Sequence, residues 1–191
     1  MPTIRHQFIN EDFFIPKWEI KHLFLGTFNP MPANGGSEGQ KVNYFYGRER
    51  NQTWKLLSEI FQITFDVNAK DFKQKLVESK IACMDMLNSV ICEDALLPDI
   101  LGQGFKDAAI INNKVKRTYN TQSITETIQK NSGIIVYSTW GKGSSIKEWI
   151  IETEKIKNIT PLASPSLAAK VPKGTKKYEY MLENWKKNIL I

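Results

Sequence analysis

The chain has 191 residues, of which 41% are hydrophobic and 24% charged, and its formal net charge is +6. This length and composition favour one soluble globular domain, residues 1–191, and no apolar run approaches the roughly 18 residues that a membrane-spanning helix needs. The N-terminus has no signal-peptide core, so we expect a cytoplasmic protein without membrane contact. The chain has two cysteines and two histidines, too few for a four-cysteine cluster or a His-rich metal site.

Four short apolar runs closed by turn residues predict β-strands. They cover residues 22–28, 81–87, 133–140 and 159–164. Pro161 would place the last strand at an edge or near its end. Apolar residues at helical spacing predict helices at 53–63, 71–79, 123–132, 144–156 and 176–190. In the third helix, Ser123 followed by Glu126 is a capping-box pattern. The alternation predicts a three-layer α/β/α fold with a central, mainly parallel four-stranded sheet.

Polar or glycine-containing segments follow the predicted strands. They are GTFNP (26–30), YFYGRERN (44–51), MDMLN (84–88), STWGKG (138–143) and ASPSLAA (163–169). Ligands of open α/β sheets bind beyond the carboxyl ends of the strands. We therefore expect these segments to form the functional site at one edge of the sheet.

The segment YFYGRERN has two interpretations. An exposed aromatic can stack on a nucleobase, which contributes about 1–3 kcal/mol per base. Arg48 and Arg50 can contact phosphate, and the amide of Asn51 can read a base edge or hold a water. Alternatively, Tyr44 and Tyr46 pack into the core and the charges are solvated.

Three further features also have two interpretations each. The turn Ser164–Ser166 can bind phosphate and Leu167 can enter a base stack, or both belong to a plain turn. The basic run 170–178 can follow a phosphate backbone or be a solvated surface. Asp85 lies in an apolar strand, and because a buried carboxylate needs partners, it is a site residue or a helix-capping anchor.

Taken in order, LFLGTFNP, YFYGRERNQTWKLLSEIF, IACMDMLNSVICED, GIIVYSTWGKG and LASPSLAA resemble the uracil-DNA glycosylase superfamily. The similarity is greatest to the branch of mismatch-specific and hypoxanthine-DNA glycosylases, and it covers about His22 to Trp185. It implies the superfamily fold and a monofunctional enzyme that flips a deaminated or mismatched base, uracil or hypoxanthine, out of DNA. The enzyme would hydrolyse the N-glycosidic bond as a monomer on DNA, without a metal or organic cofactor.

The resemblance also implies roles for individual residues. The residues implied to be catalytic, by positioning the attacking water, are Asn51 and Asn29. The residues implied to line the base pocket are Gly26, Thr27, Phe28, Tyr46 and Asp85. The residues implied to contact DNA are Arg48, Lys142, Ser164, Pro165, Ser166 and Leu167. Ser164 stands where many relatives have His or Asn, which bears on substrate and rate.

Two other classes of function stay open, because one fold hosts many functions. The first is a DNA- or base-binding relative without activity, which the serine at position 164 favours. The second is an enzyme of free nucleosides or nucleotides. The net charge of +6 and the basic run 170–178 argue against that second class, because they suit a polyanion.

Overall fold

The computed structural model describes residues 1–31, 42–101, 107–140 and 146–189. The strands are β1 (Thr3–Arg5), β2 (His22–Gly26), β3 (Ile81–Asp85), β4 (Leu87–Ile91), β5 (Lys116–Tyr119), β6 (Ile135–Ser138) and β7 (Ile159–Pro161). The helices are α1 (Thr53–Phe61), α2 (Phe72–Glu78), α3 (Leu97–Leu101), α4 (Asp107–Ile110), α5 (Thr121–Lys130), α6 (Lys147–Glu154) and α7 (Lys177–Asn188). No helix in these ranges is both long and apolar enough to cross a membrane.

The four predicted strands form one parallel sheet in the order β3-β2-β6-β7. Every residue of β2 and β3 is buried. Strands covered on both faces need apolar side chains on both faces, which is why their sequences are continuous apolar runs. The edge strand β7 ends at Pro161, as predicted, because proline has no N–H to give to a further strand.

Helices pack against both faces of this sheet. Phe24 and Cys83 belong to one apolar cluster with residues of α1, α2 and α7, including Trp54 and Trp185. The alternate strand residues, such as Leu25, belong to a second cluster with residues of α5 and α6. Side chains alternate between the faces of a strand, so the α/β prediction with a parallel four-stranded sheet is confirmed.

A small antiparallel sheet, ordered β1-β4-β5, was not predicted. Met86 alone separates β3 from β4, so the chain leaves the parallel sheet and enters the second one with almost no connection. The strand β1 has three residues and β5 shows no buried residue. Such short, half-exposed strands carry little hydrophobic pattern, so sequence alone gives them no clear signal.

The five predicted helices are found as α1, α2, α5, α6 and α7. The predicted capping box of α5 is wrong, because the helix begins at Thr121 and Ser123 lies inside its first turn. Asn120 precedes the helix, and its side-chain Nδ2 donates to the backbone oxygen of Asp85 at 3.2 Å. The start of α5 is therefore tied to the end of β3.

The segment around β1 crosses the carboxyl edge of the parallel sheet. His6 forms a bridge with Pro30, and its N–H donates to Asn88 O at 2.8 Å. Gln7 donates its backbone N–H to Asn29 O at 2.8 Å and its side-chain Nε2 to Val42 O at 2.7 Å. This segment thus contacts the chain following β2 at several points.

Candidate functional site

The strand order reverses between the carboxyl ends of β2 and β6. From β2 the chain crosses to β3 on one side, and from β6 it crosses to β7 on the other. A reversal of this kind is where open α/β sheets bind ligands. We use the name Gly26 crevice for this place, where Gly26, Tyr46, Asp85 and Thr139 lie close together.

Tyr46 reaches the crevice from the segment before α1. Its hydroxyl lies 3.2 Å from Oγ1 of Thr139, and that Oγ1 donates to Leu25 O at 3.1 Å. Because the hydroxyl proton of Thr139 is donated to Leu25 O, the hydroxyl of Tyr46 is the donor in its hydrogen bond with Thr139. Burial raises the pKa of Tyr46 well above its ordinary value, and the nearby Cys83 and Asp85 add to the effect. The phenol therefore stays neutral.

The backbone of Tyr46 adopts an unusual conformation for a residue with a side chain. Its φ is 57°, in the left-handed region. The residue is half-buried, whereas its neighbours Tyr44 and Phe45 are fully buried in the core. The core-packing interpretation therefore holds for Tyr44. Tyr46 also packs against this core in part, and its hydroxyl lies close to Gly26. A left-handed backbone at a residue with a side chain is strained, and such strain is concentrated at functional sites.

Gly26 and Asp85 face each other on β2 and β3. A Cβ added to Gly26 would lie 2.2 Å from Oδ1 of Asp85 and 2.9 Å from the hydroxyl oxygen of Tyr46. Real Cβ atoms do not approach other atoms so closely, so the carboxyl and the phenol occupy the space that a side chain would fill. Glycine is required at position 26 because two polar groups converge over it.

Asp85 is paired with His6. Their Nε2 and Oδ2 atoms are 2.8 Å apart, and the residues are 0% and 4% exposed. The N–H of Phe8 donates to Nδ1 of His6 at 3.1 Å, so that nitrogen carries no proton and Nε2 donates to Asp85. Phe14 packs against the imidazole at 4.9 Å between ring centroids. The helix-capping interpretation of Asp85 is wrong, because its side chain binds His6.

Arg48 and Asn29 contact each other beside the crevice. Nη2 of Arg48 lies 3.3 Å from Oδ1 of Asn29, whose Nδ2 donates to Oε1 of Gln7 at 3.1 Å. Burial lowers the pKa of Arg48, and the charge of Asp107 acts in the opposite direction. Both ends of the Asn29 amide are therefore hydrogen-bonded to protein groups, so this side chain has a structural role in holding the segment after β2.

Asn51 lies beside the turn that follows β7. It forms a bridge with Ser166, flanked by hydrogen bonds from Gln52 N to Pro165 O at 2.9 Å and from Leu167 N to Arg50 O at 3.0 Å. The structure thus brings together two segments that the sequence assigned to one site.

The side chain of Asn51 also acts locally. Its Oδ1 accepts the N–H of Thr53 at 2.9 Å, at the first residue of α1. Within the described residues its Nδ2 has no hydrogen-bond partner. The amide therefore supports the helix start with its oxygen, and no described residue engages its NH₂ group.

The segment Ser164–Leu167 is a turn held by its own hydroxyls. Oγ of Ser164 accepts the N–H of Ser166 at 3.5 Å, and Oγ of Ser166 accepts the N–H of Ala168 at 3.1 Å. Pro165 is buried and Leu167 is 42% exposed at the surface. The turn thus presents an apolar side chain to the outside next to Asn51, while Lys142 lies outside the described residues.

The remaining base-pocket residues are buried. Thr27 is 7% exposed and Phe28 4% exposed. The ring of Phe28 packs edge-on against His6, with 5.7 Å between the centroids. Phe28 therefore supports the Asp85–His6 pair with its side chain, and only its backbone remains for the base-binding role implied by the resemblance.

Sequence reasoning missed Asp107, the first residue of α4. Burial among protein atoms and then the charge of Asp85 raise its pKa from 3.8 to about 6, and Arg48 acts against this. The residue still keeps exposed surface. It follows none of the predicted strands and belongs to no motif, so the sequence contained no signal for it.

We expect Asp107 to make stability depend on pH. The carboxyl of Asp107 binds its proton more tightly in the folded protein than in the unfolded chain. This group therefore costs no stability below about pH 4, and it lowers the free energy of unfolding as the pH rises towards about 6. Asp107→Asn should remove that loss, and urea unfolding across this range measures it. The control Glu126→Gln removes an exposed carboxylate of α5 and should follow the wild type. Parallel pH profiles of Asp107→Asn and wild type would contradict the expectation.

Comparison with known proteins found no matching family model, no matching curated protein and no matching solved structure. Within the described ranges, no three His, Cys, Asp or Glu side chains cluster as a metal-binding group.

Proposed function

We propose that this protein is a monofunctional DNA glycosylase that removes a deaminated or mismatched base, uracil or hypoxanthine, from DNA. The observation that carries the proposal is the position of the site. Tyr46 and Asp85 converge over Gly26 at the strand-order reversal, and Asn51 is bridged to Ser166. An aromatic ring, a base-edge acceptor and an amide then lie on segments that meet at one edge of the sheet.

In this proposal the target base leaves the helical stack and enters the Gly26 crevice. Flipping costs a few kcal/mol, which contacts with the extruded base must offset. The half-buried Tyr46 would stack its ring on the base, and Asp85, whose Oδ1 lies over Gly26, would meet the base edge. Leu167, exposed on the turn beside Asn51, would fill the space left in the duplex.

Asn51 would act on the attacking water. An amide is a poor general base, so its contribution comes from holding the water near the anomeric carbon while the glycosidic bond breaks. Its Oδ1 already accepts from Thr53, so the NH₂ group is the part left for this task. We therefore expect slow turnover, without a metal or organic cofactor.

The test is cleavage of labelled duplexes that contain one uracil, hypoxanthine, xanthine or mismatched thymine, followed by alkali. We expect one lesion to be processed by the wild type and lost in Asn51→Ser. Serine keeps an oxygen that can accept the N–H of Thr53, so the helix start is preserved while the amide is removed.

Asn43→Ala is the matched control, because Asn43 is an exposed asparagine whose side-chain Nδ2 donates to Oδ1 of Asn68. It should retain full cleavage and the wild-type melting temperature. Equal cleavage by Asn51→Ser and wild type would remove Asn51 from the catalytic residues. Absence of cleavage on every duplex and single strand would overturn the glycosylase proposal.

A DNA- or base-binding protein without chemistry is the second candidate. It is favoured by the engagement of both ends of the Asn29 amide, which leaves Asn51 alone to position water. Salt-sensitive DNA binding without cleavage would support it, because phosphate contacts release counterions.

A further inference from the structure

We propose that the outer edge of β5 is a docking site for an extended, acidic segment of a partner protein, which pairs with β5 as an added strand. This surface belongs to the small antiparallel sheet, and the proposal is independent of any glycosylase activity. We call the space between β5 and α6 the β5 groove; its two walls come from residues 115–119 and from the stretch 146–155.

The strand β5 has a free edge. It stands last in the order β1-β4-β5, and among the described strands it pairs with β4 alone. In an antiparallel pair, alternate residues direct their N–H and C=O groups away from the partner strand. No other described segment forms a backbone hydrogen bond with residues 116–119. An edge of this kind is a template for a further strand.

The free edge faces open space. Two cavities of about 580 and 380 Å³ both contact Arg117 and extend along β5 in opposite directions. The first reaches Tyr119 and has Glu152 in its opposite wall, whereas the second reaches Val115 and has Glu148 in its opposite wall. The β5 groove therefore runs the length of the strand, and an extended segment has room beside it.

The β5 groove carries an excess of positive charge. Each of its two glutamates is paired with a cation of the groove. Lys116 and Lys147 also line the groove and are exposed, and neither has an acidic partner among the residues that the structure describes. Complementary potentials favour a partner that brings carboxylates. Lysine on an edge strand also opposes pairing with a second copy of β5, because like charges would face each other.

Groups beside the groove favour a peptide over a nucleic acid. Ile151 is 47% exposed on α6 and stands three positions after Glu148, so the two share a face of the helix. Tyr119 lines the groove, its hydroxyl is buried, and no described residue accepts its proton. Side chains of an added strand alternate between two faces, so one set can contact the isoleucine while the other brings carboxylates. A nucleic acid has neither aliphatic side chains nor a row of amide groups for β5.

The test uses a fluorescein-labelled peptide of alternating glutamate and valine, about ten residues long so that it exceeds β5. Fluorescence anisotropy with the full chain should show saturable binding. Lys116→Glu/Lys147→Glu should weaken that binding at least tenfold, because two attractions become repulsions. The control Lys17→Glu/Lys173→Glu makes the same change in net charge at exposed lysines that do not line the groove, and it should bind like wild type.

A second peptide tests strand addition itself. Proline in place of each valine keeps the carboxylates but removes every second N–H, so this peptide should bind at least tenfold more weakly. Hydrogen exchange followed by mass spectrometry should show slower exchange of residues 116–119 with the glutamate–valine peptide and no change with the proline peptide.

Several outcomes would overturn the proposal. Equal binding by wild type and Lys116→Glu/Lys147→Glu would place the peptide elsewhere, and no binding at millimolar peptide would remove the docking site. Equal binding of the two peptides, without slower exchange in β5, would replace strand addition by a contact of charges alone. A single-stranded oligonucleotide that binds more tightly than the peptide, and is lost in the same double variant, would make a nucleic acid the occupant. A wild-type dimer in sedimentation velocity that slows exchange of β5 would make a second copy the occupant.

Discussion

Replacing His6 with leucine is expected to lower the free energy of unfolding by about 3 kcal/mol. The substitution leaves the carboxylate of Asp85 buried without its donor at 2.8 Å. Removing one partner of a buried polar pair costs more than the pair itself contributes, because the remaining group keeps its desolvation penalty. Urea unfolding of wild type and variant at neutral pH measures the difference.

Two further variants test the cause of this loss. His6→Gln retains an N–H and should lose less stability than His6→Leu. The double variant His6→Leu/Asp85→Leu removes both polar groups and should recover part of the loss, because an apolar pair needs no donor. A free energy of unfolding for His6→Leu within about 0.5 kcal/mol of wild type would show that the pair contributes little, as exposed pairs do.

Gly26→Ala is expected to cost about 3 kcal/mol of stability and to abolish any base preference of the site. The new Cβ would lie 2.2 Å from Oδ1 of Asp85, so the carboxylate has to leave its place and its contact with His6 is lost. Thermal unfolding measures the first effect, and the uracil-over-cytosine binding ratio measures the second.

Gly174→Ala provides the matched control for this substitution. Gly174 has a φ of +88° and no atom within 4 Å of an added Cβ, so alanine there meets only the backbone penalty of about 1 kcal/mol. Adding Asp85→Ala to Gly26→Ala removes the nearest clash and should restore part of the stability. Equal losses for the two glycine variants would show that crowding over Gly26 is absent.

The parallel sheet could be predicted because the sequence of each strand reflects how deeply that strand is buried. In β2 and β3 every residue is buried, so the apolar runs are continuous and bounded by turns. The strands β1 and β5 are short and exist through pairing with β4, which depends on distant residues. The start of α5 was misplaced because Asn120 is held by the backbone of Asp85, a tertiary contact that outweighed the local Ser123–Glu126 pattern.

The location of the candidate site could be predicted from a general rule of α/β sheets, whereas the contacts within it could not. The rule places ligands at the carboxyl ends of the strands, and the segments containing Tyr46 and Asp85 indeed meet over Gly26. His6 is 79 positions away from Asp85, and no spacing or motif connects the two. Asn29 was assigned to catalysis on resemblance, and the bonds that engage its amide became visible only in three dimensions.

The crossing of the carboxyl edge by the segment around β1 has a consequence for synthesis on the ribosome. Thr3 pairs with Ile91 and His6 binds Asp85, so each of these residues is made before its partner, and His6 waits for a residue 79 positions further along the chain. Until Asp85 has been made, the imidazole of His6 lacks the carboxylate that it binds. Contacts of such high sequence separation form slowly and late. We therefore expect a nascent chain to complete its Gly26 crevice only after Thr139, just beyond β6, has emerged, with ligand binding as one of the last properties acquired.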